Sequence, residues 1–175
     1  MSASTFKNTF EINSTDTTQI GLIESNILFT EYKLTSFSNK KEISIDYKHY
    51  DKRGGPRQIN VKINDKLYQN IKPSWHDDIR ANVLYFHNNR VKEKSVKSFV
   101  LCEENVVTND KKTTTDMSKK TIMQFGRIKD RSKFILDFRY PLSPLEAFSI
   151  TLHLLIVNYE FEKLNNINTL IVNIL

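Results

Sequence analysis

Four basic residues lie close together in a short glycine-containing stretch, a spacing that suits the binding of an anion. Lys48, Lys52, Arg53 and Arg57 fall within ten residues, around the turn sequence GGP at 54–56. Lysine and arginine donate charge-assisted hydrogen bonds to phosphate oxygens. The simpler interpretation is a solvated turn with ordinary surface charge. The residue types alone leave both interpretations open.

The residues that most often catalyse reactions are not arranged for catalysis here. His76 and His87 are close in sequence to acidic residues, but no His-x-x-x-His or Cys-His spacing falls on one element. Cys102 ends a predicted strand and is interpreted as a packed thiol. With 4 glycines in the chain, no glycine-rich phosphate loop can be assembled. We therefore expect no enzyme activity, no bound metal and no cofactor.

Length and charge limit the class of protein and its partners. A chain of 175 residues with 39% apolar and 26% charged residues is typical of one globular domain. Its formal net charge of +6 favours anionic partners, of which phospholipid head groups and nucleic acid both qualify. A single cysteine excludes a disulfide scaffold and predicts a reducing compartment. No secretory signal or membrane-spanning segment is recognisable, since the longest apolar stretch, 150–157, is far below the length of a bilayer span.

The elements that must position these residues are predicted to be short antiparallel strands. Apolar residues alternate at 42–49 and 58–64, the pattern of half-buried strands. Further strands are predicted at 9–13, 27–34, 81–87, 96–102, 121–125 and 133–139. Turns are predicted at 54–56, 88–89 and 129–132, and a long exposed loop at 103–120. Strands at this spacing indicate an antiparallel sandwich or barrel.

One helix is predicted near the C-terminus. Ser143, Pro144 and Glu146 form a capping box with proline at the first helical position. The residues that follow, to Val157, are apolar on nearly all sides, so the helix should be surrounded by protein, inside the barrel. The predicted barrel lining is aromatic: Trp75, Phe86, Phe99, Phe125, Phe134 and Phe138.

Four ordered blocks of this sequence resemble the carboxy-terminal domain of the tubby family. They read WHDD at 75–78, LYFHNNRV at 84–91 with SVKSF at 95–99, MQFGR at 123–127, and DFRYPLS at 137–143 with AFSI at 147–150. A weaker match runs upstream through IG at 20–21, SN at 25–26 and GPR at 55–57. The resemblance covers roughly residues 9–152 and is strongest after Pro73.

The resemblance implies a mainly β fold, a closed antiparallel barrel with a central hydrophobic helix. It also implies a non-enzymatic domain that binds phosphoinositides, notably phosphatidylinositol 4,5-bisphosphate, at the inner face of the plasma membrane. Some members carry membrane cargo toward cilia, and a role in transcription has been proposed for the family. The location it implies is cytoplasmic and peripheral at the plasma membrane or cilium, with a nuclear location as an alternative.

The head-group site implied by the resemblance is only partly present. The family has a Lys and an Arg between its Ile-Gly and Ser-Asn pairs, where this chain has Leu22 and Glu24, whereas the arginine of the Gly-Pro-Arg turn is retained as Arg57. Each lost charge-assisted contact is worth about 1.5–3 kcal/mol, so we expect weakened phosphoinositide binding. Lys48, Lys52 and Arg53 are the residues that would compensate.

The resemblance divides the chain into a partial tubby-like domain at 9–157, an N-terminal extension at 1–8 and a divergent Asn/Ile-rich tail at 158–175. The chain begins where the family's domain is already several strands along, so the opening strands are expected to be absent, which would expose sheet edges. Two alternatives stay open: a divergent relative that closes its barrel with the tail, or an incomplete or mis-spliced version of a longer protein.

The preferred hypothesis is a non-enzymatic, membrane-associated domain whose partly degraded phosphoinositide site uses Arg57, Arg53, Lys52 and Lys48. It would act as an adaptor in membrane or ciliary cargo trafficking, with head groups and protein cargo as partners. One alternative is a nucleic-acid or transcription-linked module, favoured by the net charge but weakened by scattered basic residues without a stacking platform. The other is a protein-interaction relic without lipid binding.

Overall fold

Alternating apolar residues build one long antiparallel sheet. A computed structural model describes residues 8–13, 18–38, 41–49, 57–104, 120–129 and 133–162. The strands are β1 (Asn8–Asn13), β2 (Gln19–Ser25), β3 (Glu31–Ser36), β4 (Glu42–His49), β5 (Arg57–Ile63), β6 (Lys66–Asn70), β7 (Ser74–His76), β8 (Ala81–Val83), β9 (Phe99–Glu103), β10 (Thr121–Arg127) and β11 (Phe134–Phe138). A 3-10 turn (His87–Asn89) and helix α1 (Pro144–Glu162) complete the described elements.

Nine of these strands pair side by side in the order β1-β2-β3-β4-β5-β6-β9-β10-β11, and β7 and β8 form a separate hairpin. The mainly antiparallel β fold with a C-terminal helix is thus confirmed. Closure of the barrel is not seen in the described part of the chain, because the order begins at β1 and ends at β11 without a ladder between them. In the described part of the chain, β1 and β11 are therefore the two edge strands of the sheet.

The core lies between the inner face of the sheet and α1. Ile45 on β4 and Val61 on β5 point inward, pair across the ladder and are at most 3% exposed. From the helix, Ala147, Ile150 and Leu154 enter the same cluster. The hydroxyl of Tyr47 on β4 donates to the carbonyl oxygen of Ile150 at 3.0 Å, joining strand and helix. The prediction that α1 is a core element is confirmed.

The helix begins as its sequence predicts. The backbone N–H of Ser143 donates to Oε2 of Glu146 at 2.8 Å, and the N–H of Glu146 approaches Oγ of Ser143 at 3.3 Å, which is a capping box. Glu146 Oε2 also accepts a bond from Nζ of Lys41 at 3.0 Å. No described helix is long and apolar enough to cross a membrane. The tail beyond Glu162 lies outside the described residues.

Several predicted details are wrong in instructive ways. The strand predicted at 27–34 begins only at Glu31, because Asn26 initiates a turn. The strand predicted at 81–87 stops at Val83, before the 3-10 turn. Trp75 was expected in the barrel lining, yet it is 58% exposed because it lies on the β7–β8 hairpin outside the main sheet. The sequence patterns also missed β2, β6 and β7.

Antiparallel pairing sends alternate connections to opposite rims of the sheet. The connections that follow β2, β4, β6 and β10 leave one rim, and those that follow β3, β5, β9 and β11 leave the other. The predicted turn at 88–89 is confirmed, since both residues have positive φ angles of 59° and 50°. Residues 50–56, 105–119 and 130–132 are outside the described part, so the local structure predicted there stays a prediction.

Candidate functional site

Lys48 and Arg57, the first and last of the four predicted anion contacts, lie at the same rim of the sheet. Lys48 lies near the end of β4, its side chain is 65% exposed, and its ammonium lies 3.0 Å from a carboxylate oxygen of Asp46. Arg57 opens β5, where its backbone pairs with His49. Lys52 and Arg53 lie outside the described residues, as does the side chain of Arg57. Their convergence on one anion therefore stays a prediction.

The two positions that carry cations in the family lie on the outer face of β2. Glu24 pairs across the ladder with Lys33 on β3, and Leu22 pairs with Thr35. The row through Glu24 and Lys33 continues through Ser44 to Lys62 on β5. Arg57 is five residues along β5 from Lys62, about 16 Å at the rise of a strand. The strand register therefore places Lys33 and Lys62 in this row, and not the predicted contact Arg57.

Lys33 and Lys62 are thus basic residues that sequence reasoning missed. The ammonium of Lys33 lies 3.2 Å from the carboxylate of Glu42, with side-chain exposures of 33% and 58%. Lys62 is exposed on the outer face of β5. Only the strand register relates them to Glu24, and no local motif marks that register. Alternation predicts which face of the sheet a lysine occupies, whereas the relation of Lys62 to Glu24 depends on the pairing of four strands, β2 to β5.

A larger basic feature appears when the connections are sorted by rim. On the rim where Lys48 lies, Lys72 follows β6, Lys92 is fixed by its N–H donating to the carbonyl of Arg127 at 3.0 Å, and the N–H of Ile128 donates to the carbonyl of Lys133 at 3.2 Å. We call the exposed lysines of this rim the lysine rim: Lys48, Lys72, Lys92, Lys94, Lys129 and Lys133. The acidic residues among them are Glu31, which pairs with Asp46 across the ladder, Asp46 itself and Glu93, and Asp77 and Asp78 lie in the same connection after β6.

The opposite rim is electrically balanced in the described residues. Its basic residues are Lys41, Lys62, Lys66, Lys120 and Arg139, and its acidic residues are Glu42, Asp65, Glu103, Glu104 and Glu146. An open cavity of about 540 Å³ lies there, with both signs of charge in its lining. Tyr68 borders it, and burial, with Glu103 nearby, raises the pKa of its hydroxyl. Among the described residues of the two rims, the excess of positive charge therefore lies on the lysine rim.

The polar network nearest to the histidines has a structural explanation. The backbone N–H of His87 donates to Oε1 of Gln124 at 2.9 Å, and Nε2 of Gln124 donates to Asp137 at 2.7 Å. Asp137 also pairs with Arg90, and Nε2 of His87 lies 3.0 Å from Oγ1 of Thr121. These contacts attach the segment at 84–91 to β10 and, through Asp137, to β11.

The thiol of Cys102 is packed in the core, as its place at the end of a predicted strand indicates. Cys102 is 0% exposed, and burial raises its thiol pKa to about 11, so the reactive thiolate is scarce near neutral pH. Within the described ranges, no group of three His, Cys, Asp or Glu side chains could hold a metal ion. What the described residues can do is attract anions, because each lysine near an anionic lipid surface contributes about 1 kcal/mol of attraction.

Comparisons with known proteins all find the same family. The model of the family described as "Tub family" matches residues 39–155, about two thirds of the chain. Tubby protein homolog 1 of Caenorhabditis elegans is 38% identical over 87 residues, which is 50% of this chain and 17% of that protein. Tubby-related protein 2 of Mus musculus is 42% identical over 86 residues, 49% of this chain and 13% of that protein. Tubby-like F-box protein 3 of Arabidopsis thaliana is 30% identical over 142 residues, 81% of this chain and 32% of that protein.

Proposed function

The chain belongs to the Tub family, and on this premise we propose that it is a non-enzymatic domain that binds phosphoinositides and associates with membranes. One observation of the molecule supports the proposal above the others. Six exposed lysines share one rim with the ends of β4 and β5, between which the predicted head-group contacts lie in sequence. A rim of this kind attracts an anionic membrane, while the opposite rim is balanced in charge.

Within this proposal, Arg57 is the main head-group contact, assisted by Lys48, Lys52 and Arg53. The cations that the family has at positions 22 and 24 are missing, so selectivity for phosphatidylinositol 4,5-bisphosphate rests on fewer charge-assisted contacts. Lys33 opposite Glu24 offsets part of the repulsion between that carboxylate and phosphate. General attraction by the lysine rim then contributes a larger share of the binding energy.

The experiment is vesicle binding by the purified chain at physiological salt. It compares phosphatidylcholine vesicles containing phosphatidylinositol 4,5-bisphosphate with vesicles of equal charge made with phosphatidylserine. Arg57→Ala and Lys48→Ala are the test variants. Lys66→Ala is the matched control, since Lys66 is exposed at the start of β6 on the opposite rim. Preferential binding to the phosphoinositide, weakened at least fivefold by Arg57→Ala and little by Lys66→Ala, is the expected result.

Other outcomes identify the alternatives. Equal binding to both vesicle types and effective competition by duplex DNA would favour the nucleic-acid or transcription-linked module. Binding to none of these anions by a folded chain would leave the protein-interaction relic. If head-group selectivity is found, the proposed setting is peripheral, at the plasma membrane or cilium, where the domain links membrane to protein cargo.

A further inference from the structure

Three large apolar side chains project from the lysine rim. Ile27 and Leu28 are 58% and 78% exposed in the turn between β2 and β3, and Val96 is 78% exposed in the turn before β9. We propose that these three side chains enter the interfacial layer of a lipid bilayer while the surrounding lysines contact its anionic head groups. This inference rests on the membrane association proposed above, and it assigns the part of the protein that penetrates the membrane.

The β2–β3 turn is built to hold a fixed shape. Oδ1 of Asn26 accepts bonds from the backbone N–H groups of Thr30 at 2.9 Å and Glu31 at 3.3 Å. Nδ2 of Asn26 donates to Oγ1 of Thr30 at 2.9 Å, and the N–H of Phe29 donates to the carbonyl of Asn26 at 3.1 Å. The turn is therefore ordered before any partner arrives, which lowers the entropic cost of binding.

The same turn separates its apolar residues into inward and outward groups. Phe29 has a φ angle of 52° and packs against the core. A positive φ is unfavourable for a bulky residue, so surrounding contacts must maintain it. With Phe29 directed to the core, Ile27 and Leu28 remain at the tip. The N–H of Tyr47 donates to the carbonyl of Thr30 at 2.8 Å, so this tip adjoins the end of β4.

Val96 reaches the same rim from another connection. The N–H of Ser98 donates to the carbonyl of Ser95 at 3.1 Å, closing the turn around Val96. The N–H of Arg127 donates to Oγ of Ser98 at 3.3 Å, which attaches this turn to the end of β10. Two lysines, Lys94 and Lys97, flank Val96 in sequence.

The chemistry of this rim favours a bilayer over a protein groove. Scattered apolar tips with lysines between them match the boundary of acyl chains and anionic head groups, where aliphatic side chains are buried and ammonium groups stay hydrated. Glu31, Asp46 and Glu93 lie among the lysines, and the charges of Asp46 and Lys48, 3.0 Å apart, cancel each other, which leaves five lysines of the rim beside Glu31 and Glu93. The rim therefore presents a net positive field to an approaching membrane.

A fluorescent label placed at the turn tests the insertion directly. In Leu28→Cys, the introduced thiol can be labelled with an environment-sensitive dye such as NBD, because the natural Cys102 is 0% exposed. Phe37→Cys is the matched control, since Phe37 is 45% exposed in the turn after β3, on the opposite rim. With vesicles of phosphatidylcholine, phosphatidylserine and phosphatidylinositol 4,5-bisphosphate, we expect a blue shift and quenching by lipid-borne quenchers at position 28 only.

A second comparison separates insertion from head-group binding. Ile27→Asn combined with Leu28→Asn should weaken binding to the same vesicles about tenfold, leave the affinity for soluble inositol 1,4,5-trisphosphate unchanged, and leave the thermal midpoint unchanged. Phe37→Asn should have little effect on either binding. Bound vesicles without a spectral change at position 28, unchanged vesicle binding by the double variant, or no vesicle binding by the wild type would each overturn the proposal. A shift at position 28 without phosphoinositide selectivity would sustain insertion and refute the proposed head-group site.

Discussion

At the residue scale, Glu146 is the buried charge with the largest expected effect on stability. Its side chain is 1% exposed, and the ammonium of Lys41, 16% exposed, lies 3.0 Å away. Glu146→Ala removes this partner and one half of the capping box, so we expect a loss of about 3–5 kcal/mol in urea unfolding. Glu42→Ala breaks the exposed pair with Lys33 and should cost less than about 1 kcal/mol. Similar losses in the two variants would contradict this interpretation.

Leu22 and Glu24 allow a gain-of-function prediction. Replacing them in the double variant Leu22→Lys and Glu24→Arg restores both cations of the family site, so affinity for phosphatidylinositol 4,5-bisphosphate should rise at least about tenfold. The new arginine would face Lys33 across the ladder, costing a few tenths of a kcal/mol in stability. Titration with soluble inositol 1,4,5-trisphosphate measures the affinity. An unchanged affinity would mean that the outer face of β2 takes no part in binding.

Cys102 predicts how the fold responds to alkaline pH. Burial raises its thiol pKa from 9.0 to about 11. The unfolded chain then loses this proton at a lower pH than the folded chain, so the associated stability is complete below pH 9 and declines as the pH rises toward about 11. A thiol reagent should react slowly with the native protein and rapidly in urea. Cys102→Ser, a control without this titration, should lose less stability over that interval.

At the element scale, β10 depends on a glycine for its contact with the segment at 84–91. A Cβ atom at Gly126 would lie 2.3 Å and 2.7 Å from the two Cγ atoms of Val91. Gly126→Ala should therefore destabilise the fold by about 1–3 kcal/mol through overpacking. Adding Val91→Ala should recover part of that loss, which a double-mutant cycle in urea measures. No recovery would show that the conflict involves another part of β10.

The elements that sequence predicts well are those whose own residues carry the pattern. β4 has its predicted bounds because Ile43, Ile45 and Tyr47 alternate with polar residues, and α1 begins at its predicted cap. β2 escaped detection because two of its buried positions are Gly21 and Ser25, which hide the apolar alternation.

Other elements depend on tertiary contacts that no local pattern records. At the end of β6, Asn70 is 4% exposed and its Oδ1 accepts a bond from the N–H of Ile59 at 2.7 Å. That bond explains a buried polar residue only once the strands are paired. The same distinction applies to the candidate site. The basic turn can be predicted from neighbouring residues in the sequence. The lysine rim can be recognised only after four connections are assigned to one end of the sheet.

At the scale of the whole molecule, the described charges are polarised between two rims, and this should orient the domain on a membrane. Changing Lys92, Lys94 and Lys129 to glutamine should weaken binding to phosphatidylserine vesicles about a hundredfold, at about 1 kcal/mol per lysine. The matched triple change of Lys66, Lys120 and Arg139 on the balanced rim should have a much smaller effect. Because the Debye length falls to about 3 Å in 1 M salt, the difference between the two triple variants should nearly vanish there.

Equal losses from both rims would mean that net charge alone attracts the protein, without a preferred orientation. A difference that persists in 1 M salt would indicate instead that the rim lysines make direct contacts, shielded from bulk ions by the inserted apolar tips.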